Sequence, residues 1–159
     1  MAEGGSLYET DFVRWSETQA EALRAAAALR TNEPLDWENL AEEIESLGKS
    51  QRHELRSRTR TLVEHLLKLE YSAATEPRPG WSRTVRRTRI AIDDILAESP
   101  SLRPILPELL AEVQPSANAF AAELLDEAGE GSAGIQAGRR ASYTVAEAFG
   151  PWLPGDEPN

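Results

Sequence analysis

The sequence predicts an all-α fold: a single-domain helical bundle of about five helices, with a short C-terminal helix and an irregular tail. Three observations carry that expectation. Apolar residues recur at three- and four-residue steps through most of the chain, the spacing that lines one face of a helix. Ser6 with Glu9, and Thr144 with Glu147, have the serine/threonine-x-x-glutamate spacing whose side chains satisfy the free N–H groups opening a helix. No segment alternates apolar and polar residues for long enough to make a sheet. The expected domain covers residues 6–154, followed by a flexible tail at 155–159.

The elements follow in order. Leu7, Phe12, Trp15, Gln19, Ala22, Ala26 and Leu29 keep helical spacing, so Ser6 to Leu29 reads as one helix. Pro34 disfavours helix in the residue before it and ends this element. Asp36 is a good N-cap for the next, which carries Leu40, Ile44 and Leu47 and then Leu55, Leu62, Leu66 and Leu69 to about Ser72. A straight rod over that range would be ~54 Å long, against a radius of gyration of ~15 Å for a domain of this size. The sequence therefore predicts a break or bend near Gly48, with Ser50 opening a new helix. Glu76 to Gly80 reads as a loop. Trp81 to Glu98 reads as a helix with Trp81, Val85, Thr88, Ile92 and Ile95 on one face. Leu102 to Ala128 reads as a further helix with Ile105, Leu106, Leu109, Leu110, Val113, Ala117, Phe120 and Leu124 inward, kinked at Pro115. Gly129 to Gly138 reads as a mobile linker, and Val145 to Phe149 as a short terminal helix.

Composition narrows the function classes. The chain has 159 residues and no cysteine, which removes disulfides, thiolate nucleophiles and zinc–thiolate sites together. The opening residues show no basic segment leading into an apolar one, so no secretory signal is expected, and no stretch is apolar for long enough to span a bilayer. A cytoplasmic setting is expected. The net charge of −10 repels nucleic acid and anionic membranes on average. That charge is segregated: from Lys49 to Arg89 eleven basic residues face four acidic ones, a local +7 that leaves −17 on the flanks.

Few residues suggest chemistry. Asn39 and Glu43 lie one turn apart on the edge of the apolar stripe of the second helix, and His65 flanks the later part of the same stripe. If these parts packed antiparallel, Glu43 and His65 would meet, and a carboxylate with an imidazole is the minimum of a hydrolytic or metal site. A metal needs a further ligand, and His53 is not at ligand spacing from His65. No serine sits in a nucleophile turn and GEGSAG lacks the lysine of a phosphate loop, so no catalytic residue, metal or cofactor is expected. Arg83, Arg86 and Arg87 point away from the Trp81–Ile92 face together with Ile90, which suggests an interface rather than open solvent. Trp15, Trp37 and Trp81 read as core anchors, and Trp152 as a cap or a partner contact.

Several of these residues stand in a pattern that resembles a known family. Tyr8-x-x-Asp11-Phe12-x-x-Trp15, the run Asn39-Leu40-Ala41-Glu42-Glu43-Ile44-Glu45-Ser46-Leu47-Gly48, His65-Leu66-Leu67-Lys68, Trp81, and Ser99-Pro100-Ser101-Leu102 resemble the bacterial domain of unknown function numbered twenty-nine. The resemblance spans roughly Leu7 to Leu124 and is weaker on to Pro154. It implies an α-helical bacterial protein and implies no activity or catalytic residue. The functional expectation is a non-enzymatic helical module that binds a protein partner or a second copy of itself, with nucleic acid and membrane unlikely as partners. The alternative is an enzyme or metal-binding protein with a polar site around Glu43 and His65.

Overall fold

The computed structural model describes residues 6–29, 34–136 and 142–156, and among them every regular element is helical. In order these are α1 (Leu7–Thr10), α2 (Phe12–Ala28), α3 (Trp37–Tyr71), α4 (Arg78–Glu98), a 3-10 helix (Pro100–Ile105), α5 (Leu106–Glu127), α6 (Ala133–Gln136) and α7 (Val145–Phe149). They group into two compact units, residues 1–55 with 94–104, and residues 56–93 with 105–159.

In the first unit the expected single helix over Ser6–Leu29 is two helices. The Ser6 and Glu9 box opens α1, with the Ser6 N–H donating to Glu9 Oε2 at 3.2 Å. Asp11 then takes an extended conformation and ends it. The same residue caps α2, its Oδ1 accepting from the Arg14 N–H at 2.9 Å. Asp11 also reaches across the chain: Oδ2 accepts from the Ser101 N–H at 2.7 Å and Oδ1 from the Ser101 hydroxyl at 2.8 Å. Nearby, the Val13 N–H donates to Ser99 Oγ at 3.2 Å. The Ser99 hydroxyl in turn donates to Gln51 Oε1, and Gln51 Nε2 donates to Glu98 Oε2 at 2.8 Å. This polar seam ties the start of α2 and the middle of α3 to the end of α4 and the turn that follows it. Around it pack Val13, Ala20, Ala41, Leu55, Ile95, Leu96 and Leu102.

The break expected near Gly48 is absent, because α3 runs unbroken through Gly48 and Ser50. The glycine has another task. A Cβ placed there would sit 2.2 Å from Ser16 Oγ, so its missing side chain lets α2 approach α3. Ser16 is fully buried and donates to the Val13 carbonyl at 2.8 Å. The inward face of α3 in this unit is therefore Ala41, Ile44 and Gly48 rather than Leu40, Ile44 and Leu47; Leu40 and Leu47 are 40% and 49% exposed. Hydrophobicity favoured the leucines, but close helix packing selects small residues. Glu45 lies toward α2 as well, where Arg24, at 2.9 Å, and then Lys49 hold its carboxyl below the usual range.

In the second unit Leu62, Val63, Leu66, Leu67 and Leu69 of α3 form a core with Val85, Thr88 and Ile92 of α4. Residues Leu106, Leu109, Leu110, Val113, Ala117, Ala121 and Leu125 give α5 its buried stripe. Its later turns face inward through Ala121 and Leu125, not Phe120, which is 44% exposed. The helix continues through Pro115. The expected start at Leu102 is replaced by the 3-10 turns, which accommodate Pro104, while Pro107 falls in the first turn of α5, where a missing N–H costs nothing. Helix α4 likewise starts before Trp81, with Pro79 in its first turn.

The described part of the glycine-rich stretch is folded rather than a mobile linker; Gly138 lies outside the described residues. Glu130 accepts from the Ser72 hydroxyl at 2.8 Å and from the Ala73 N–H at 2.7 Å, capping the end of α3. A Cβ on Gly134 would come within 2.8 Å of the Tyr71 ring, and Ile135 is buried. The Thr144 and Glu147 box opens α7 as expected.

Two substitutions check these packing claims. Gly48→Ala should destabilise by about 1–3 kcal/mol in urea melts, although alanine is the better helix former, and adding Ser16→Ala should recover most of the loss. Asp11→Ala should cost about 2–3 kcal/mol through lost capping and orphaned donors. Burial alone would raise the Asp11 carboxyl pKa, but the bonds from Arg14 and Ser101 outweigh it and lower it. Its contribution is therefore complete above about pH 4 and lost as pH falls through the depressed folded value. The acid limb of the stability curve should flatten in Asp11→Asn.

Candidate functional site

The outward face of α4 is the most strongly charged surface that the sequence anticipated. Successive residues of a helix turn by ~100°, which brings Arg83, Arg86, Arg87 and Ile90 onto one face. All four are exposed, Ile90 at 62%. No ion pair among the described residues involves Arg83, Arg86 or Arg87. Their charges and the Ile90 side chain stand together at the surface.

Arg89, in the same basic run, does the opposite. It is 8% exposed and faces inward. Its Nε donates to the Ala148 carbonyl at 2.8 Å, and Nη2 donates to the carbonyls of Glu147 at 2.9 Å and Trp152 at 2.8 Å. The planar guanidinium thus caps the negative end of α7 and holds the tail beyond it. Trp152 lies against Tyr143, with ring centroids 6.3 Å apart, and the Tyr143 hydroxyl donates to Glu70 Oε2 at 2.6 Å. Trp152 is therefore half-buried against its own unit. The signal for Arg89 was present in the sequence: on a helical wheel it flanks the Val85–Ile92 stripe while the other three arginines oppose it.

An open recess of about 410 Å³ lies beside this tail, lined by Leu69, Glu70, Ser72, Arg78, Trp152 and neighbouring backbone. The volume falls in the ~300–1,000 Å³ range of small-molecule sites. Its polar groups are engaged within the protein. Arg78 donates to the carbonyls of Leu69 at 2.7 Å and Ser72 at 3.1 Å, Ser72 bonds Glu130, and Glu70 bonds Tyr143. These contacts close the C-terminus of α3 and leave the recess a structural role.

The residues proposed for chemistry separate. Asn39 is exposed in the first turn of α3, donating from Nδ2 to Asp36 Oδ2 at 2.6 Å, and Asp36 Oδ1 accepts from the Asn39 N–H at 3.3 Å, the expected cap. Glu43 is exposed and is in none of the described ion pairs. His65 is half-buried, its Nδ1 2.9 Å from the Thr61 carbonyl. Burial lowers its pKa, the Thr61 bond opposes this, and Lys68 adds to the lowering; facing a carbonyl, Nδ1 donates within its own helix. Glu43 and His65 do not pair. Both belong to the single unbroken helix α3, about 33 Å apart along its axis at ~1.5 Å per residue. Their meeting required the break that Gly48 does not make. Among the described residues no group of three potential metal ligands gathers, and no helix is long and apolar enough to cross a membrane.

The sequence reading missed Asp11, Ser99, Ser101 and Glu130 as structural anchors. For Asp11 the signal was an acidic residue directly before an apolar helical run, the mark of an N-cap. For the others none was available, since their partners lie tens of residues away.

These anchors fall within a matched region. The family model described as domain of unknown function DUF29 covers residues 7–130, most of the chain. The chain belongs to the DUF29 family. A crystal structure of an α-helical protein of unknown function from Rhodospirillum rubrum is similar to it, with a TM-score of 0.75 and 25% identity over 92% of this chain and 90% of that one. No curated protein matches the chain. DUF29 membership thus agrees with the all-α fold and carries no activity with it.

Arg89→Lys should keep the charge yet lose the fork. It should cost about 2–4 kcal/mol in denaturant melts and expose residues 145–156 to limited proteolysis.

Proposed function

We propose that this DUF29 chain is a non-enzymatic helical protein-interaction module that self-associates, and that it does so in the cytoplasm. The observation that carries the reading is the outer face of α4, where Ile90 stands exposed among three arginines that lack an ion-pair partner among the described residues. An apolar side chain ringed by unpaired like charges is suited to a surface of opposite charge, where the apolar contact supplies affinity and the charges supply orientation and rate. Asp93 and Asp94 stand within the next turn after Ile90, and the net charge is −10, which favours a protein surface over a nucleic acid. The absence of cysteine supports the cytoplasmic setting.

Light scattering at low and high salt tests the proposal. At low salt the mean mass should exceed the 17.5 kDa of one chain and fall toward it as salt screens the arginines. Arg86→Glu with Arg87→Glu should weaken association by at least about tenfold without altering the melting temperature. A strict monomer at all concentrations and salts overturns the reading.

A further inference from the structure

The exposed leucines of α3 answer the basic face of α4. Leu40 and Leu47, 40% and 49% exposed, stand two turns apart with Glu43 between them on the same face. Asp36 and Glu54 continue that face one turn before Leu40 and two turns after Leu47. It is an apolar stripe with acidic residues along it, and Glu43 is in none of the described ion pairs. The α4 face is its counterpart: Ile90, with Arg83, Arg86 and Arg87 along it. Both stripes span seven residue steps, Leu40 to Leu47 and Arg83 to Ile90, or ~10.5 Å of helix axis each. Glu43 sits near the middle of the first and Arg86 and Arg87 near the middle of the second, with Arg83 at its end. Helices laid side by side, parallel or antiparallel, therefore bring Glu43 opposite Arg86 and Arg87.

We infer that the α3 stripe of one copy is the docking surface for the α4 stripe of a second copy. Glu43 pairs with the guanidinium groups of Arg86 and Arg87, and Leu40 and Leu47 cover Ile90. The inference rests on the self-association proposed above and names its two faces. Made reciprocally about a two-fold axis, the two contacts form one isologous dimer interface; made once per copy, the contact is heterologous and extends into rings or chains.

Charge exchange between two variants tests it. Glu43→Arg makes the centres of both stripes basic, and Arg86→Glu with Arg87→Glu makes both centres acidic. Each variant alone should associate at least about tenfold more weakly than the wild type by light scattering at low salt. Mixed in equal amounts they should recover association to within about threefold of wild type, because each basic stripe then meets an acidic one. Leu40→Ser with Leu47→Ser should weaken association with no charge change, and circular-dichroism melts should show all variants folded. Wild-type association in Glu43→Arg alongside loss in Arg86→Glu/Arg87→Glu overturns the α3 assignment and leaves the module reading standing. A mixture that fails to recover association also overturns the pairing. A monomeric wild type overturns the self-association itself, and an arginine variant that still associates overturns the α4 face as its surface.

Discussion

A single carboxylate sets the N-terminal geometry. Asp11 accepts three hydrogen bonds, one from the Arg14 N–H that opens α2 and two from Ser101 in the turn after α4. A buried carboxylate is costly unless its oxygens are satisfied, and here the bonds more than offset the burial, as the lowered pKa shows. The consequence is geometric. With Asp11 extended, α1 and α2 part, and the start of α2 is held against residues 99–101. The Ser99 and Gln51 bonds extend this seam to α3, and Gly48 lets Ser16 fit beneath it. Capping, helix spacing and core packing in this unit thus share one anchor.

The other unit solves a similar problem with the opposite charge. Helix C-termini expose carbonyls, and the buried Arg89 collects three of them from α7 and the tail. Arg78 does the same for α3, and Glu130 supplies an acceptor for the N–H groups and hydroxyl that follow it. These polar side chains spend their hydrogen bonds on backbone ends. That is why the recess beside the tail, though of ligand size, is bounded by groups already committed to the fold.

Other charged and apolar groups stay at the surface. Glu43, Arg83, Arg86 and Arg87 enter none of the described ion pairs, and Leu40, Leu47 and Ile90 lie beside them. Charges and apolar groups that a chain does not use internally are the groups it can offer to a partner. These outward stripes are the surfaces on which the proposed self-association rests, and DUF29 membership assigns no activity.

The all-α class, the helix-opening boxes at Ser6 and Thr144, the Asp36 cap and the outward turn of Arg83, Arg86 and Arg87 were legible in the sequence. Each depends on residues within about two helical turns, where spacing and side-chain chemistry decide the outcome. The tertiary structure alone decided the rest. Gly48 resembles a helix terminator locally, but the buried Ser16 that needs its empty space is contributed by another helix. Leu40 and Leu47 were read as core by hydrophobicity, yet Ala41, Ile44 and Gly48 face inward because α2 approaches closely there. Glu43 and His65 could meet only across a break that the helix does not contain. Asp11 with Ser101, and Arg89 with Trp152, join residues far apart in the chain, and no local spacing encodes which distant carbonyl or hydroxyl completes a buried charge.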